Sequence, residues 1–352
     1  MRRAAGRGLL ALLLALLVLG AAAAAGAYLF LQDRFERAGP ARQTVRVEVP
    51  AGASLRTVLA HLEAQGVLRD ARAIEWYLRL RRTTVRVESG EYDIPAHASA
   101  QEILELFAEG KVVLEQLTIV EGATFADFFA SLETHPKVAH TLQGLTAGQV
   151  MAALGHPGQP AEGEFFPDTY RFAAHTPDLA ILQQAYAAMQ RALASAWQAR
   201  SPELPLHDPY QALVLASMIE KEAALKSERP LIAGVFLNRL KRGMRLQSDP
   251  TVIYGLGDAY EGMIHTRDLS TDTPYNTYTR DGLPPTPIAL PGRESLLAAV
   301  QPQETTALYF VATGLNDGAH RFSATLKDHN AAVQSYLARL RAAAPPPGRH
   351  HP

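Results

Sequence analysis

Apolar positions follow three different regimes along the chain. From Gly8 to Leu31, 24 residues, no side chain is charged. At about 1.5 Å rise per residue such a helix crosses a hydrocarbon core roughly 30 Å thick. One transmembrane helix over residues 8–31 is predicted, and a cleaved signal peptide, with Leu9–Leu19 as its apolar core and Ala21–Ala25 as its cleavage region, is the alternative. Residues 32–43 are polar, contain Gly39 and Pro40, and read as a linker. The pattern then changes to short phrases. Val45, Val47 and Val49 alternate as in a half-buried strand, and Gly52 and Ser54 lead into Leu55, Val58, Leu59 and Leu62, one face of a helix with Ser54 as its N-cap. Gly122 to Leu132 repeats that phrase through Thr124, Phe125, Phe128 and Phe129, after a strand at Leu117–Val120. A third copy runs from Ala98 and Ser99 through Ile103, Leu104 and Phe107, with Ser99 and Glu102 spaced as a capping box. Phe125, Phe128 and Phe129, at helical spacing, are expected in a core rather than on a sugar-stacking surface.

The third regime is longer helices. One runs through Leu182, Ala185, Met189 and Leu193 until Pro202–Pro209 interrupts it, and Pro209 then opens another from Tyr210 to about Leu225. Val235–Arg242 forms a further one. Strand and capped-helix units followed by longer helices give an α+β chain of small modules and a mixed, helix-rich domain, with common helix-start chemistry as the alternative source of the repeated phrase.

Composition narrows the function classes. The 352 residues carry a net charge of −1, so a polyanion such as nucleic acid is not an expected partner. There is no cysteine, which excludes disulfides and thiolate catalysis. The twelve histidines show no paired spacing of a metal site, and Walker, His-Glu-x-x-His and Gly-x-Ser-x-Gly motifs are absent. No metal and no cofactor are expected. His320 and His329 are the later histidines to watch, with a structural or surface role expected; His350 and His351 lie in a Pro-rich tail read as disordered. Arg2, Arg3 and Arg7 precede the apolar span, whereas Asp33 and Glu36 mix with Arg34 and Arg37 after it, which leaves the N-terminus in the cytoplasm and exports the rest.

The most unusual local chemistry is Leu213-Val214-Leu215-Ala216-Ser217-Met218-Ile219-Glu220-Lys221-Glu222, carboxylates at the end of an apolar run. Two residues apart on a helix, Glu220 and Glu222 point in different directions. Glu220 continues the stripe of Leu213, Ala216 and Ser217. There it would lose solvation, its pKa would rise, and it would suit a general acid; a buried glutamate satisfied by an arginine or by backbone donors is the alternative. Glu222 faces Lys226 at i+4 and reads as half of a surface ion pair. Downstream, the loops around Gln247, Asp249, Tyr254, Tyr275, Asn276 and Tyr278 are dense in amide, hydroxyl and phenol groups, the partners a sugar needs.

In order, Leu215–Glu222, Ser227-Glu228-Arg229, Val235–Leu240, Gly243–Gly255, Tyr275-Asn276-Thr277-Tyr278 and Gly282-Leu283-Pro284-Pro285 resemble the endolytic murein transglycosylases, the YceG-like or MltG family. The resemblance runs from the apolar span to about residue 340. It implies a single-pass inner-membrane protein whose LysM-like modules (44–135) and catalytic domain (136–340) lie in the periplasm, after a cytoplasmic tail (1–7) and before a disordered one (341–352). It implies peptidoglycan glycan strands as substrate, cell-wall synthases as candidate partners, and Glu220 as the catalytic residue. Ser217, Arg245, Gln247, Asp249, Tyr275, Asn276 and Tyr278 are the expected substrate contacts. Where many members read Leu-Pro-Pro-Gly-Pro-Ile, this chain has Thr286 in place of the glycine, which leaves residues 286–288 open as ligand contacts. A lysozyme-like hydrolase, with Asp249 as the second carboxylate, and a non-enzymatic wall-binding tether are the alternatives.

Overall fold

The computed structural model describes residues 2–50 and 52–343. Contacts divide them into two compact units: the chain up to Glu115 with Arg171–His175, and Gln116–Tyr170 with the chain from Thr176 onward.

The first unit opens with helix α1 (Arg2–Glu36). It is the one helix, among the described residues, long and apolar enough to cross a membrane. The expected linker is different from its polar composition: the helix continues to Glu36, and its last turns are packed. Phe35 and Tyr28 lie against Tyr77, with ring centroids 4.8 and 5.8 Å apart, and Arg34 pairs with Asp70 at 2.7 Å. Beyond it the Gly39 N–H donates to the His97 carbonyl at 3.1 Å, and the His97 N–H to that of Ala41 at 2.8 Å. A Cβ on Gly39 would stand 2.4 Å from the Ala98 carbonyl oxygen, so only glycine lets the strap lie that close.

Strand β1 (Val45–Val49), helices α2 (Leu55–Ala64) and α3 (Ala71–Leu80), and strand β2 (Gly90–Ile94) form a β-α-α-β unit. The strands pair antiparallel, with Val47 opposite Tyr92. Ser54 caps α2 as expected, and the box of Ser99 and Glu102 opens α4 (Ala100–Ala108). Val47, Leu59, Leu62, Ile74, Tyr92, Ile103 and Phe107 bury together as this unit's own core.

A strand at Leu114–Thr118 precedes α5 (Phe125–Thr134), which is capped by Thr124. That helix, expected with the preceding modules, packs in the second unit. Phe125 and Phe128 are buried against Phe165, which places them in a core as their spacing suggests. After α6 (Ala147–Ala153), α7 (Asp178–Gln198) and α8 (Pro209–Glu222) form the centre of the unit. The Asp208 carboxylate accepts from the Gln211 N–H, and Pro209 occupies the first turn of α8, where its missing N–H costs nothing. Every residue from Ala212 to Ile219 is buried, because α7, α9 (Arg229–Lys241) and α12 (Arg293–Val300) all pack on α8. Between α9 and α12 lie α10 (Asp249–Leu256) and α11 (Thr266–Ser270). A hairpin of Tyr309–Ala312 and His320–Ser323, with Val311 opposite Arg321, packs against α13 (Leu326–Ala343). Of the expected disordered tail, residues 341–343 end this helix and residues 344–352, with His350 and His351, lie outside the described residues.

Candidate active site

Helix α8 decides the site by where it stops. Its last residue is Glu222, and Ala223 turns to an extended conformation at φ −84° and ψ 102°. An i,i+4 pair requires four more helical residues, so Lys226, in a separate 3-10 turn, does not meet Glu222. Lys226 instead pairs with Glu121 at 3.4 Å and Glu294 at 3.3 Å. The surface ion pair expected of Glu222 is therefore not formed.

Glu222 turns into a cleft of about 480 Å³ that it lines with Arg239, Gln247, Asp249, Tyr278, Phe310, His320, His329 and Tyr336. The Ser248 hydroxyl donates to its Oε1 at 2.6 Å. Loss of solvation, reinforced by the negative charge of Asp249 and only partly offset by Ser248, pushes the Glu222 carboxyl up to about 7. Its place at a helix C-terminus acts in the same direction, since the dipole there disfavours negative charge.

Glu220 does lie on the inward stripe, but the stripe leads to an ion pair. Its Oε1 receives the Arg229 guanidinium at 2.6 Å, with the two side chains 4% and 6% exposed. Its Oε2 receives the Gly292 N–H at 2.9 Å. Both oxygens are thus taken by protein donors, and Glu220 joins α8 to the starts of α9 and α12. Periodicity correctly placed it inside. It could not say that a cation waits there, and a carboxylate with both oxygens already taken by protein donors has none free to face a substrate oxygen.

The expected substrate contacts divide into two groups. Gln247, Asp249 and Tyr278 line the cleft with Glu222. The Tyr278 hydroxyl donates to Asp249 at 2.6 Å, and the Gln247 side-chain oxygen accepts from Arg239 at 3.1 Å. The other four do not line it. Ser217 is fully buried; its hydroxyl donates to the Val214 carbonyl and accepts the Ile288 N–H. Asn276 is also fully buried, its amide donating to the carbonyls of Asp268, Leu269 and Thr271 while its oxygen accepts the Tyr278 N–H at 2.8 Å. Arg245 holds Asp281 and the Tyr278 carbonyl, and Tyr275 shares a hydrogen bond with Thr286. These polar groups are satisfied by the protein's own backbone and side chains, a use that composition cannot separate from sugar binding.

Several cleft residues carried no decisive signal in the sequence. Arg239, buried in α9, donates to the carbonyls of Leu308, Arg245 and Leu246 and so ties three segments into the cleft wall. His320 and His329, read as structural or surface, both line the cleft. The His320 ring meets Glu228 at 2.7 Å, and burial, with the nearby Arg239 charge, holds His329 below the usual imidazole value. Among the described residues no cluster of His, Asp and Glu could hold a metal ion.

A second-unit cleft around a half-buried carboxyl whose pKa desolvation raises is the arrangement that general-acid chemistry uses. The chain belongs to the YceG-like family, whose sequence model matches residues 47–335. An endolytic murein transglycosylase of Bacillus subtilis (strain 168) is 30% identical over 339 residues, covering 89% of this chain and 90% of that protein. One of Streptococcus pneumoniae (serotype 2, strain D39) is 27% identical over 329 residues, covering 84% of this chain but 59% of the longer relative. The crystal structure of a YceG-like protein from Listeria monocytogenes superposes with a TM-score of 0.52 at 30% identity, covering 82% of this chain and 98% of that one.

Proposed function

We propose that this protein is an endolytic murein transglycosylase that cuts peptidoglycan glycan strands, with Glu222 as its acid and base. The observation that carries the assignment of the acid is the Glu222 carboxyl, pushed up to about 7 in the cleft it shares with Asp249 and Tyr278. The family and the Bacillus relative support the reaction class. Protonated Glu222 gives its proton to the glycosidic oxygen between N-acetylmuramic acid and N-acetylglucosamine as the C1–O bond breaks. The C6 hydroxyl oxygen then attacks C1, and its proton passes to the Glu222 carboxylate. The acid is restored, a 1,6-anhydro end forms, and no water is consumed. Ser248 holds the carboxyl oxygen through both steps. Glu220, tied to Arg229 and Gly292, is the positioning residue that fixes the end of α8.

The other parts of the chain fit the same reading. The β-α-α-β unit suits a LysM-like glycan-binding module, and α1 suits an inner-membrane anchor that leaves both units in the periplasm, where cell-wall synthases would be partners. Asp249 in the same cleft favours one second reading, lysozyme-like hydrolysis with two carboxylates.

Mass analysis of the products separates these. Full-length protein in detergent is incubated with glycan strands; anhydro ends, lighter than reducing ends by one water, are expected. Reducing ends would establish hydrolysis, and unshortened strands would leave only the tether.

A further inference from the structure

Helix α3 carries a surface that the cleft chemistry does not use. Trp76 is 59% exposed and Leu80 60%, one turn apart on α3. Around them the chain from Arg69 to Arg86 holds six arginines, Arg69, Arg72, Arg79, Arg81, Arg82 and Arg86, against two acids, Asp70 and Glu75. Arg72, Arg79, Arg81, Arg82 and Arg86 are exposed, and the Arg79 guanidinium lies 5.6 Å from the centroid of the Trp76 ring. Exposed tryptophan and leucine beside a run of arginines is the composition of a helix that rests in a lipid headgroup layer.

The position of α3 argues for the same partner. Tyr77, the neighbour of Trp76, is wedged against α1 between Tyr28 and Phe35. Tyr28 lies within the charge-free stretch that ends at Leu31, so α3 touches the anchor helix at the level where hydrocarbon gives way to headgroups. Nor is the contact a loose one: Arg34, in the last turns of α1, pairs with Asp70 at the start of α3 at 2.7 Å. A helix held at that depth has the headgroup layer as its neighbour.

We propose that α3 and the turn after it dock on the membrane surface, Trp76 and Leu80 entering the interfacial layer and Arg79, Arg81 and Arg82 meeting the phosphates of anionic phospholipids. This rests on the reading of α1 as a membrane anchor. Docking at two places, the span and α3, would hold the first unit at a set orientation to the bilayer instead of leaving it free to swivel on a single helix. The attraction of each arginine to an anionic surface is screened by salt.

Trp76 and Trp197 are the two tryptophans of the chain, which gives a direct test. Full-length Trp197→Phe protein is reconstituted into phosphatidylcholine–phosphatidylglycerol vesicles whose acyl chains are brominated near the headgroup, and emission and acrylamide quenching are measured. Flotation of the vesicles reads the anchor; quenching reads the docking. Expected are co-flotation, loss of Trp76 emission in brominated vesicles, and an acrylamide quenching slope several-fold below that of free tryptophan. Changing Arg79, Arg81 and Arg82 together to Gln should return the slope toward the free value without affecting flotation. Protein that floats while Trp76 escapes the bromolipid and stays open to acrylamide overturns the docking alone. Protein that does not float overturns the anchor, and the docking with it. If Trp197→Phe folds poorly, subtracting the signal of Trp76→Phe from that of the unaltered chain isolates Trp76 and decides the same question.

Discussion

Replacing Glu222 by Gln and, separately, Glu220 by Gln should produce two different kinds of failure. In Glu222→Gln the amide oxygen still accepts from Ser248, so the helix end keeps its hydrogen bond, but the transferable proton is gone. General acid catalysis contributes about 10² to 10⁴-fold, and one group here serves as acid and then base, so turnover should fall by roughly 10⁴ or more, about 5 kcal/mol of transition-state stabilisation. The same change removes a carboxyl whose ionised form the fold disfavours. Lifting it from 4.5 to about 7 costs at most about 3 kcal/mol once it is ionised, less what water in the open cleft recovers. Glu222→Gln should therefore melt at or above the temperature of the unaltered protein. Glu220→Gln leaves the Arg229 charge, 6% exposed, facing a neutral amide, with its remaining carboxylates Glu121 and Glu294 at 3.8 and 3.7 Å, and sets an amide NH2 against the Gly292 N–H. Breaking a buried pair on one side costs about 3 to 5 kcal/mol, so this variant should melt lower, while activity per folded molecule falls much less than in Glu222→Gln. The assay is release of anhydro-ended fragments from glycan strands by mass spectrometry, normalised to folded protein by thermal melting. Near-normal turnover in Glu222→Gln, with turnover abolished in a Glu220→Gln protein of unchanged melting temperature, would refute the assignment.

The pH dependence follows from the same carboxyl: turnover should decline as pH rises through about 7, where Glu222 loses its proton, measured as initial rates across a buffer series. The stability difference between Glu222→Gln and the parent has a defined window. Below the unfolded value of 4.5 the parent carboxyl is protonated in both states and the variant gains nothing; between 4.5 and about 7 the native state holds more protons, so the parent loses stability as pH rises and the variant's advantage grows, levelling off above. Denaturant titrations at pH 4 and 8 check this. Asn276→Ala should act on the fold: it removes a fully buried amide that donates to the carbonyls of Asp268, Leu269 and Thr271 and accepts the Tyr278 N–H, at about 1 to 3 kcal/mol for the partners left unsatisfied, read as a lowered melting temperature.

What the sequence determined by itself was local. A charge-free stretch of 24 residues specifies a long apolar helix; Ser54, Ser99 with Glu102, and Asp208 with Pro209 specify where helices begin, because a cap acts on the backbone within its own turn. The ordered motifs identified the family, and with it a carboxylate at the end of an apolar helix. Tertiary structure alone decided which carboxylate faces the cleft. Periodicity reports that a side chain points inward, but inward is both where ion pairs are buried and where clefts open, and the difference lies in partners far along the chain. Glu220 meets Gly292, 72 residues on, and Arg239 reaches Leu308, 69 residues on. The polar loop residues divided for the same reason: an amide serves loop carbonyls or an open cleft according to how the loop closes, as Asn276 and Gln247 demonstrate. The end of α8 at Glu222 is itself such a decision, since its removal of Lys226 from the helix turned an expected surface pair into a desolvated acid.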